Sequence, residues 1–374
     1  MKLVFAGGGT GGHLFPALAL AEEFKKRDSA TEIVFIGGLG GLEEKIVPRY
    51  GYPLKLLSVQ GVKRTKGVKR LLALVRAFNS TLRAIAILRS IRPDGVIGSG
   101  SYSSAPVVFA AKLLGIKTAI LEQNALPGLT NKILGKSVDR VYISFEEARK
   151  FFPVLRTVLA GNPMRGEMLT RISDKSREPV WRKGKKFTVL VFGGSQGAMA
   201  LNAAFLDAAE YLTDIWGDLR VIHQTGQKGY QYVKEAYERK HLKAELYEFI
   251  DYMADAYYCS DLVVCRAGAT SIAEITAFGL ASVLVPYPFA SDNHQEVNAG
   301  CLAREGAALM IPQDKLTGRT LSDAIRRLYE NPAELEALRS RARSLGKPGA
   351  AETIADNFSA VIESKSSLTR SAAL

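Results

Sequence analysis

Glycines gathered behind a short apolar run are the first residues in this chain that could do chemistry. Gly7, Gly8, Gly9, Gly11 and Gly12 surround Thr10 directly after Leu3-Val4-Phe5-Ala6. Backbone N–H groups bared by glycine, with a helix N-terminus behind them, can face an anion or a polar substrate. A tight strand-to-helix turn is the plainer reading, but five glycines exceed what a turn needs. Gly7, Gly9 and Gly12 also satisfy the G-x-G-x-x-G spacing of dinucleotide sites. That chemistry needs an acid at the end of the second strand to hold a ribose. Here that strand ends Phe35-Ile36-Gly37-Gly38, and the nearest acids, Glu43 and Glu44, fall in the following helix. A nicotinamide cofactor is therefore not expected. His13 closes the loop at a helix start, where an imidazole can act as a base near neutral pH. Local capping or packing is its competing role.

Five further segments and Arg165 carry suitable side chains. Gly98-Ser99-Gly100-Ser101-Tyr102-Ser103-Ser104 is a second glycine- and serine-rich turn, and Glu122-Gln123-Asn124 ends the next apolar run. Residues just past the carboxyl ends of parallel strands line the ligand crevice. Asn124 there could bond a sugar hydroxyl or amide, or serve as an ordinary turn residue. Gly193-Gly194-Ser195-Gln196-Gly197-Ala198 is a third glycine loop, with Ser195 able to donate to a phosphate oxygen. Arg165 could reach a phosphate or remain a solvated charge. In Cys265-Arg266-Ala267-Gly268-Ala269-Thr270-Ser271-Ile272-Ala273-Glu274, a small-residue loop suits a diphosphate. Glu274, one turn into the next helix, suits the two hydroxyls of a ribose, with helix-dipole compensation as its alternative. Asp292-Asn293-His294-Gln295 could read a sugar.

The elements that position these residues follow from periodicity. Apolar runs at 3–6, 33–36, 54–59, 95–97, 118–121, 141–143 and 157–159 alternate with amphipathic or capped segments. That is the pattern of a parallel sheet covered on both faces. A polar stretch at 173–186 interrupts it. The pattern then restarts at 188–192, again as strand, glycine turn and helix, and continues through 221–223, 246–249, 262–265, 282–285 and 308–311. The expected architecture is α/β, with Rossmann-like domains at 1–163 and 164–346. A helix within 347–364 would pack back on the first domain, and 365–374 would form a tail.

The same motifs occur in order over nearly the whole chain, joined by Pro127-Gly128-Leu129-Thr130-Asn131, Gly161-Asn162-Pro163-Met164-Arg165 and Phe249-Ile250-Asp251. Together they closely resemble the lipid II-forming peptidoglycan N-acetylglucosaminyltransferases, the undecaprenyldiphospho-muramoylpentapeptide beta-N-acetylglucosaminyltransferases. The resemblance implies a GT-B fold, two domains facing a central cleft, and an inverting transfer from UDP-GlcNAc to the 4-hydroxyl of lipid I. By position, the Ile250 backbone would read uracil and Glu274 would hold the ribose. Ser195, Arg165 and Ala269, Thr270 and Ser271, with Ile272 and Ala273 behind them, would meet the diphosphate. Gln295, His294 and Asn124 would face the N-acetylglucosamine. Thr10, Gly11, Gly12 and His13 would line the acceptor side, with His13 as the catalytic residue. Some members of this family carry Ala-Leu-Thr at 269–271 and Gln-Gln at 294–295; backbone contacts survive the first change, and the second touches the role of His294. Rivals on the residues alone are a UDP-sugar epimerase, another lipid-directed glycosyltransferase such as a galactosyl-diacylglycerol synthase, or a non-catalytic sugar-nucleotide sensor.

Bulk composition bears on partners. The net charge is +13 over 374 residues, which favours an anionic partner, and no nucleic-acid-binding signature occurs. No run approaches the roughly 20 apolar residues of a membrane span. The N-terminus runs directly into the first strand, leaving no room for a signal peptide. Lys63, Arg64, Lys66, Lys69 and Arg70 precede a helical apolar stripe of Leu71, Leu74, Val75 and Phe78. A core-facing helix behind a solvated basic loop is the commoner meaning of such a segment. With a lipid acceptor implied, it becomes a candidate anionic-membrane patch, placing the protein peripherally on the cytoplasmic face. A cell-wall synthesis complex is a further expected partner. No Asp-x-Asp occurs, so no tightly held metal or cofactor is expected, and a divalent cation is not required. Cys259, Cys265 and Cys301 show no metal spacing and read as free thiols.

Overall fold

A computed structural model of the chain describes residues 1–58, 68–174, 180–181 and 184–371, with the helix path alone over 68–77 and 365–371. The chain divides into two compact units, Met1–Gly166 with Pro348–Leu374, and Glu167–Lys347. In the first unit the strands are β1 (Lys2–Ala6), β2 (Glu32–Gly38), β3 (Leu54–Leu57), β4 (Gly95–Gly98), β5 (Lys117–Glu122), β6 (Arg140–Ile143) and β7 (Thr157–Leu159). Its helices are α1 (Gly11–Arg27), α2 (Glu43–Ile46), α3 (Val68–Ile91), α4 (Ser104–Leu113) and α5 (Leu129–Leu134). The helix α6 (Gly166–Ser173) leads into the second unit. There β8 (Phe187–Phe192), β9 (Leu219–Gln224), β10 (Glu245–Tyr247), β11 (Leu262–Cys265), β12 (Ala281–Leu284) and β13 (Leu309–Met310) alternate with α7 (Met199–Glu210), α8 (Tyr230–Arg239), α9 (Met253–Cys259), α10 (Ala269–Phe278) and α11 (His294–Arg304). The helices α12 (Gly318–Glu330) and α13 (Pro332–Leu345) close that unit, and α14 (Ala350–Ser371) returns to the first.

Among the described residues each unit holds one all-parallel sheet. The orders are β3-β2-β1-β4-β5-β6-β7 and β10-β9-β8-β11-β12-β13. In both, the first strand of the unit lies inside the sheet. The chain winds to one side of it and then restarts on the other, so β1 pairs β4 and β8 pairs β11 at the point of reversal. Adjacent loops diverge at such a switch point and leave a crevice at the strands' carboxyl ends. The register brings Ala6 beside Gly98 and Phe192 beside Cys265, so both crevices open on glycine-bearing loops.

Strand alternation sorts the first unit's core into two layers. Leu3 and Phe5 face α1 and α14 with Leu14, Leu18, Phe24, Ile354 and Phe358. Val4 and Ala6 face the other side with Leu88, Val107, Val108 and Leu134. Both faces are covered, which is why the strands read as unbroken apolar runs. Gly95 admits the returning helix: a Cβ there would stand 2.7 Å from the Phe358 ring. Helix α14 runs on to Ser371, so the segment expected as a tail from 365 is helical as far as that residue. The three cysteines are free and buried. Among the described residues no helix is long and apolar enough to cross a membrane.

Candidate functional site

The first unit's crevice is built around His13. Helix α1 begins at Gly11, so His13 lies in its first turn, and its backbone N–H donates to the Thr10 carbonyl at 3.2 Å. Its Nδ1 lies 3.0 Å from the Ser99 carbonyl and 3.2 Å from Gln123 Oε1. Gln123 in turn donates from Nε2 to the same Ser99 carbonyl at 3.0 Å. Both neighbours of Nδ1 are acceptors, which assigns the proton of the neutral ring to Nδ1 and the lone pair to Nε2. A Cβ at Gly100 would stand 2.8 Å from Nδ1, so the second loop needs glycine to let the ring in. Loops behind β1, β4 and β5 thus converge on one half-buried imidazole.

Asn124 is held by the same turn. The buried Glu122 accepts from the Asn124 N–H at 2.9 Å, from Asn131 Nδ2 at 2.9 Å and from the Gly128 N–H at 3.3 Å. Burial pushes the Glu122 carboxyl up to about 6 against these hydrogen bonds, which pull it down. Glu122 therefore organises the 122–131 segment from beneath. Arg165 belongs to the first unit as well, its guanidinium 5.5 Å over the Phe15 ring of α1. Thr10 is exposed at the helix start, and Gly11 and Gly12 form the first helical positions.

In the second unit the crevice is framed by the 193–198 loop and the start of α10. Ser195 is exposed in that loop. The buried Gln224, at the end of β9, donates to the Gly194 carbonyl at 3.0 Å and accepts from the Ile250 N–H at 2.8 Å. One amide side chain therefore joins the glycine loop to Ile250. It also engages the Ile250 N–H, leaving the carbonyl as the Ile250 backbone group that can accept from a ligand. Ala269, Thr270 and Ser271 form the first turn of α10 after Gly268, with Ile272 and Ala273 behind. The ten-residue helix directs its positive dipole end and unsatisfied N–H groups there. Asn298, fully buried, holds the loop by donating to the Ala267 carbonyl at 3.3 Å. Glu274 is buried, with the Tyr257 hydroxyl donating to Oε2 at 3.0 Å. Gln295 accepts from the Tyr287 N–H at 2.9 Å, and His294 Nδ1 lies 2.8 Å from the Ser291 carbonyl.

The expected residues thus fall into two sets. Thr10, Gly11, Gly12, His13, Asn124 and Arg165 stand in the first unit, and Ser195, Ile250, 269–274, His294 and Gln295 in the second. Sequence reasoning missed the residues that hold them: Gln123, Gln224, Tyr257 and Asn298. Gln123 and Gln224 stand at the carboxyl ends of β5 and β9, where a buried polar side chain is a usable signal, whereas Tyr257 in α9 and Asn298 in α11 reach the site from helices. Of the candidate membrane segment, Lys63, Arg64 and Lys66 lie outside the described residues. Lys69, Arg70, Leu71, Leu74 and Val75 fall on the α3 path, and Phe78 on α3 is 63% exposed. Leu82 on α3, Phe109 and Leu113 on α4, and Leu129 and Ile133 on α5 are exposed too, on helices packed side by side.

Residues 3–143 match the glycosyltransferase family 28 N-terminal domain, and residues 188–354 match the glycosyltransferase family 28 C-terminal domain. The UDP-N-acetylglucosamine--N-acetylmuramyl-(pentapeptide) pyrophosphoryl-undecaprenol N-acetylglucosamine transferase of Syntrophus aciditrophicus is 46% identical over 363 residues, covering 97% of this chain and 99% of that protein. The protein of the same description from Myxococcus xanthus is 48% identical over 360 residues, covering 95% and 92%. Among solved structures, Acinetobacter baumannii MurG superposes with a TM-score of 0.78 at 29% identity, over 96% of this chain and 99% of that one. A putative UDP-N-acetylglucosamine 2-epimerase from Listeria monocytogenes reaches 0.69 at 12% identity over 97% of both chains, which is a likeness of fold alone.

Proposed function

Since the chain belongs to glycosyltransferase family 28, we propose that its two crevices divide the work of one sugar transfer between acceptor and donor. The reaction is transfer of N-acetylglucosamine from UDP-N-acetylglucosamine to N-acetylmuramyl-(pentapeptide) pyrophosphoryl-undecaprenol, lipid I, giving lipid II in peptidoglycan synthesis. The observation that carries this is identity of 46% along essentially the full length of a transferase of that description.

In our reading the second unit holds the donor. The Ile250 carbonyl accepts from the uracil N–H, and Glu274 accepts from the ribose hydroxyls while Tyr257 fixes its other oxygen. Ser195, the first-turn N–H groups of α10 and Arg165 meet the diphosphate. Gln295, with its carbonyl oxygen engaged by Tyr287, turns its amide N–H groups to the N-acetylglucosamine, alongside His294 and Asn124. In the first unit Thr10, Gly11 and Gly12 line the acceptor. The acceptor 4-hydroxyl attacks the anomeric carbon and gives its proton to His13 Nε2. The bond from that carbon to the diphosphate oxygen breaks, and UDP leaves with the electron pair. Loop N–H groups, the α10 dipole and Arg165 offset the charge growing on the leaving group. The Nδ1–H of His13, bonded to the Ser99 carbonyl, stabilises the imidazolium formed in this step.

The metal requirement belongs to the same reading: no cofactor is tightly bound, and turnover continues in excess chelator. Peripheral attachment does too. Six exposed apolar side chains on α3, α4 and α5 (Phe78, Leu82, Phe109, Leu113, Leu129 and Ile133), with Arg83, Lys112 and Lys136 exposed among them, suit the interface of an anionic leaflet. The lipid-linked acceptor and nucleotide donor put that leaflet on the cytoplasmic face, where a cell-wall synthesis complex would assemble.

Titrating UDP-N-acetylglucosamine with and without lipid I tests the reading. Release of UDP that requires lipid I, with lipid II as product, is expected. Turnover without acceptor would replace the reading with an epimerase, and binding without turnover would replace it with a sensor.

A further inference from the structure

Glu43 lies in the helix after β2 and not at the end of that strand, where a ribose-holding acid would stand. Its carboxylate is nonetheless one of the most buried polar groups in the protein, at 1% exposure. It stands at the start of the four-residue α2 and reaches back under the first glycine loop. Oε2 accepts from the Gly9 N–H at 2.7 Å and Oε1 from the Gly38 N–H at 2.9 Å, so the loops behind β1 and β2 share one acid. The glycines around it are there to make room. A Cβ at Gly8 would stand 2.3 Å from the carboxyl carbon, one at Gly37 2.5 Å from Glu43 Cγ, and one at Gly41 2.2 Å from Oε2. Gly8 also has φ +145, a conformation that L side chains rarely adopt.

Two consequences follow for the chemistry. The Gly9 N–H is spent on a carboxylate, and a negative charge lies directly behind the loop. The loop therefore offers a ligand the N–H groups at the start of α1 but not that of Gly9. The second consequence is geometric. Helix α1, with His13 in its first turn, starts two residues after Gly9, so whatever fixes Gly9 fixes the approach of the loop to the imidazole.

We infer that Glu43 is a positioning residue for the transfer, holding the first glycine loop in the shape that presents acceptor hydroxyl and His13 to each other. The inference rests on the assignment of acceptor binding to the first unit, and its test keeps the two apart. Glu43→Gln is isosteric but turns an N–H₂ toward one of two N–H donors, so one hydrogen bond becomes a clash. Gly8→Ala drives the carboxylate away while keeping its charge. Both variants should lower kcat/KM for lipid I at least tenfold, with the dissociation constant for UDP-N-acetylglucosamine, measured by calorimetry, unchanged within twofold. In the wild-type protein, hydrogen exchange should find the Gly9 and Gly38 amides protected. In the variants the peptide covering 7–12 should exchange faster, and peptides of the second unit should not. A loss below tenfold in a folded variant overturns the inference, as does a parallel loss of donor affinity or an unprotected Gly9 amide in the wild type, a result that needs no variant to fold. Failure of the wild type to turn over lipid I would instead remove the acceptor assignment beneath it.

Discussion

At the scale of single residues, the arrangement around His13 makes the base assignment open to test. An imidazole whose Nδ1–H is fixed by the Ser99 carbonyl, with Gln123 beside it, loses no free energy to tautomer choice when a hydroxyl meets Nε2. A positioned base contributes about 10²–10⁴-fold. His13→Ala should therefore lower kcat by at least 100-fold while the donor dissociation constant stays within twofold, and the acidic limb of the wild-type rate profile should vanish in the variant. Retention of more than about a tenth of turnover would remove His13 as base. Glu274→Gln tests the other unit. A buried carboxylate already holding the Tyr257 hydroxyl should lose about 1.5–3 kcal/mol of donor affinity when its charge goes, with the fold intact. Unchanged affinity by calorimetry would take Glu274 out of the site. His13 and Glu274 were legible because each follows a glycine or small-residue loop. Their supports were not: Ser99 and Gln123 lie 86 and 110 positions from His13, and only the strand order brings them together.

At the scale of elements, the strands were legible because both faces of each sheet are covered, which leaves unbroken apolar runs. Their ends were less so. A run expected at 246–249 pairs only over Glu245–Tyr247, and shortly beyond it the Ile250 N–H donates to the Gln224 side chain. The apolar stripe at 71–78 raises the question of a membrane, but a linear stripe cannot show that α4 and α5 also carry exposed apolar side chains. Phe109 and Leu113 lie on α4, which packs against α3, and Leu129 and Ile133 on α5, which packs against α4, so only the tertiary structure gathers them into one layer. Six large apolar side chains left in water on one helical layer are unusual for a surface without a partner. Replacing Phe78, Leu82, Phe109 and Leu113 with Ser should weaken co-sedimentation with phosphatidylglycerol vesicles at least tenfold and leave turnover of a short-chain, water-soluble acceptor within threefold. Vesicle binding that survives these changes would move the membrane contact elsewhere, and turnover lost in parallel would make this face part of the acceptor site.

At the scale of the whole molecule, each unit buries one group whose response to acid opposes the other's, and the tryptophans lie in one unit alone. His223 on β9 is fully buried between Asn202 and Tyr237, and burial pushes its imidazole down to about 3. The unfolded chain binds a proton at about 6.5 that the folded second unit refuses. Stability from this group is therefore complete above pH 6.5 and falls as pH drops toward 3, by about 2 kcal/mol between pH 7 and 5. Glu122 in the first unit runs the other way. Its carboxyl, pushed up to about 6, binds a proton in the folded state before the unfolded chain does. Its contribution is complete below about 4.5 and lost as pH rises through 6, so the first unit gains about 1 kcal/mol over the same drop from pH 7 to 5. Trp181 and Trp216 are the two tryptophans of the chain and both lie in the second unit, so denaturant unfolding followed by tryptophan fluorescence reports that unit. Its midpoint should fall between pH 7 and 5, and His223→Gln, which keeps hydrogen-bonding capacity without a titrating ring, should remove about 2 kcal/mol of the fall. Hydrogen exchange in the β5 and β6 peptides should show the first unit holding or gaining protection over the same range, with the gain absent in Glu122→Gln. Equal fluorescence-detected losses in wild type and His223→Gln would mean that other groups govern the acid response of the second unit. The difference between wild type and variant isolates the contribution of each buried group from that of the titrating groups common to both proteins.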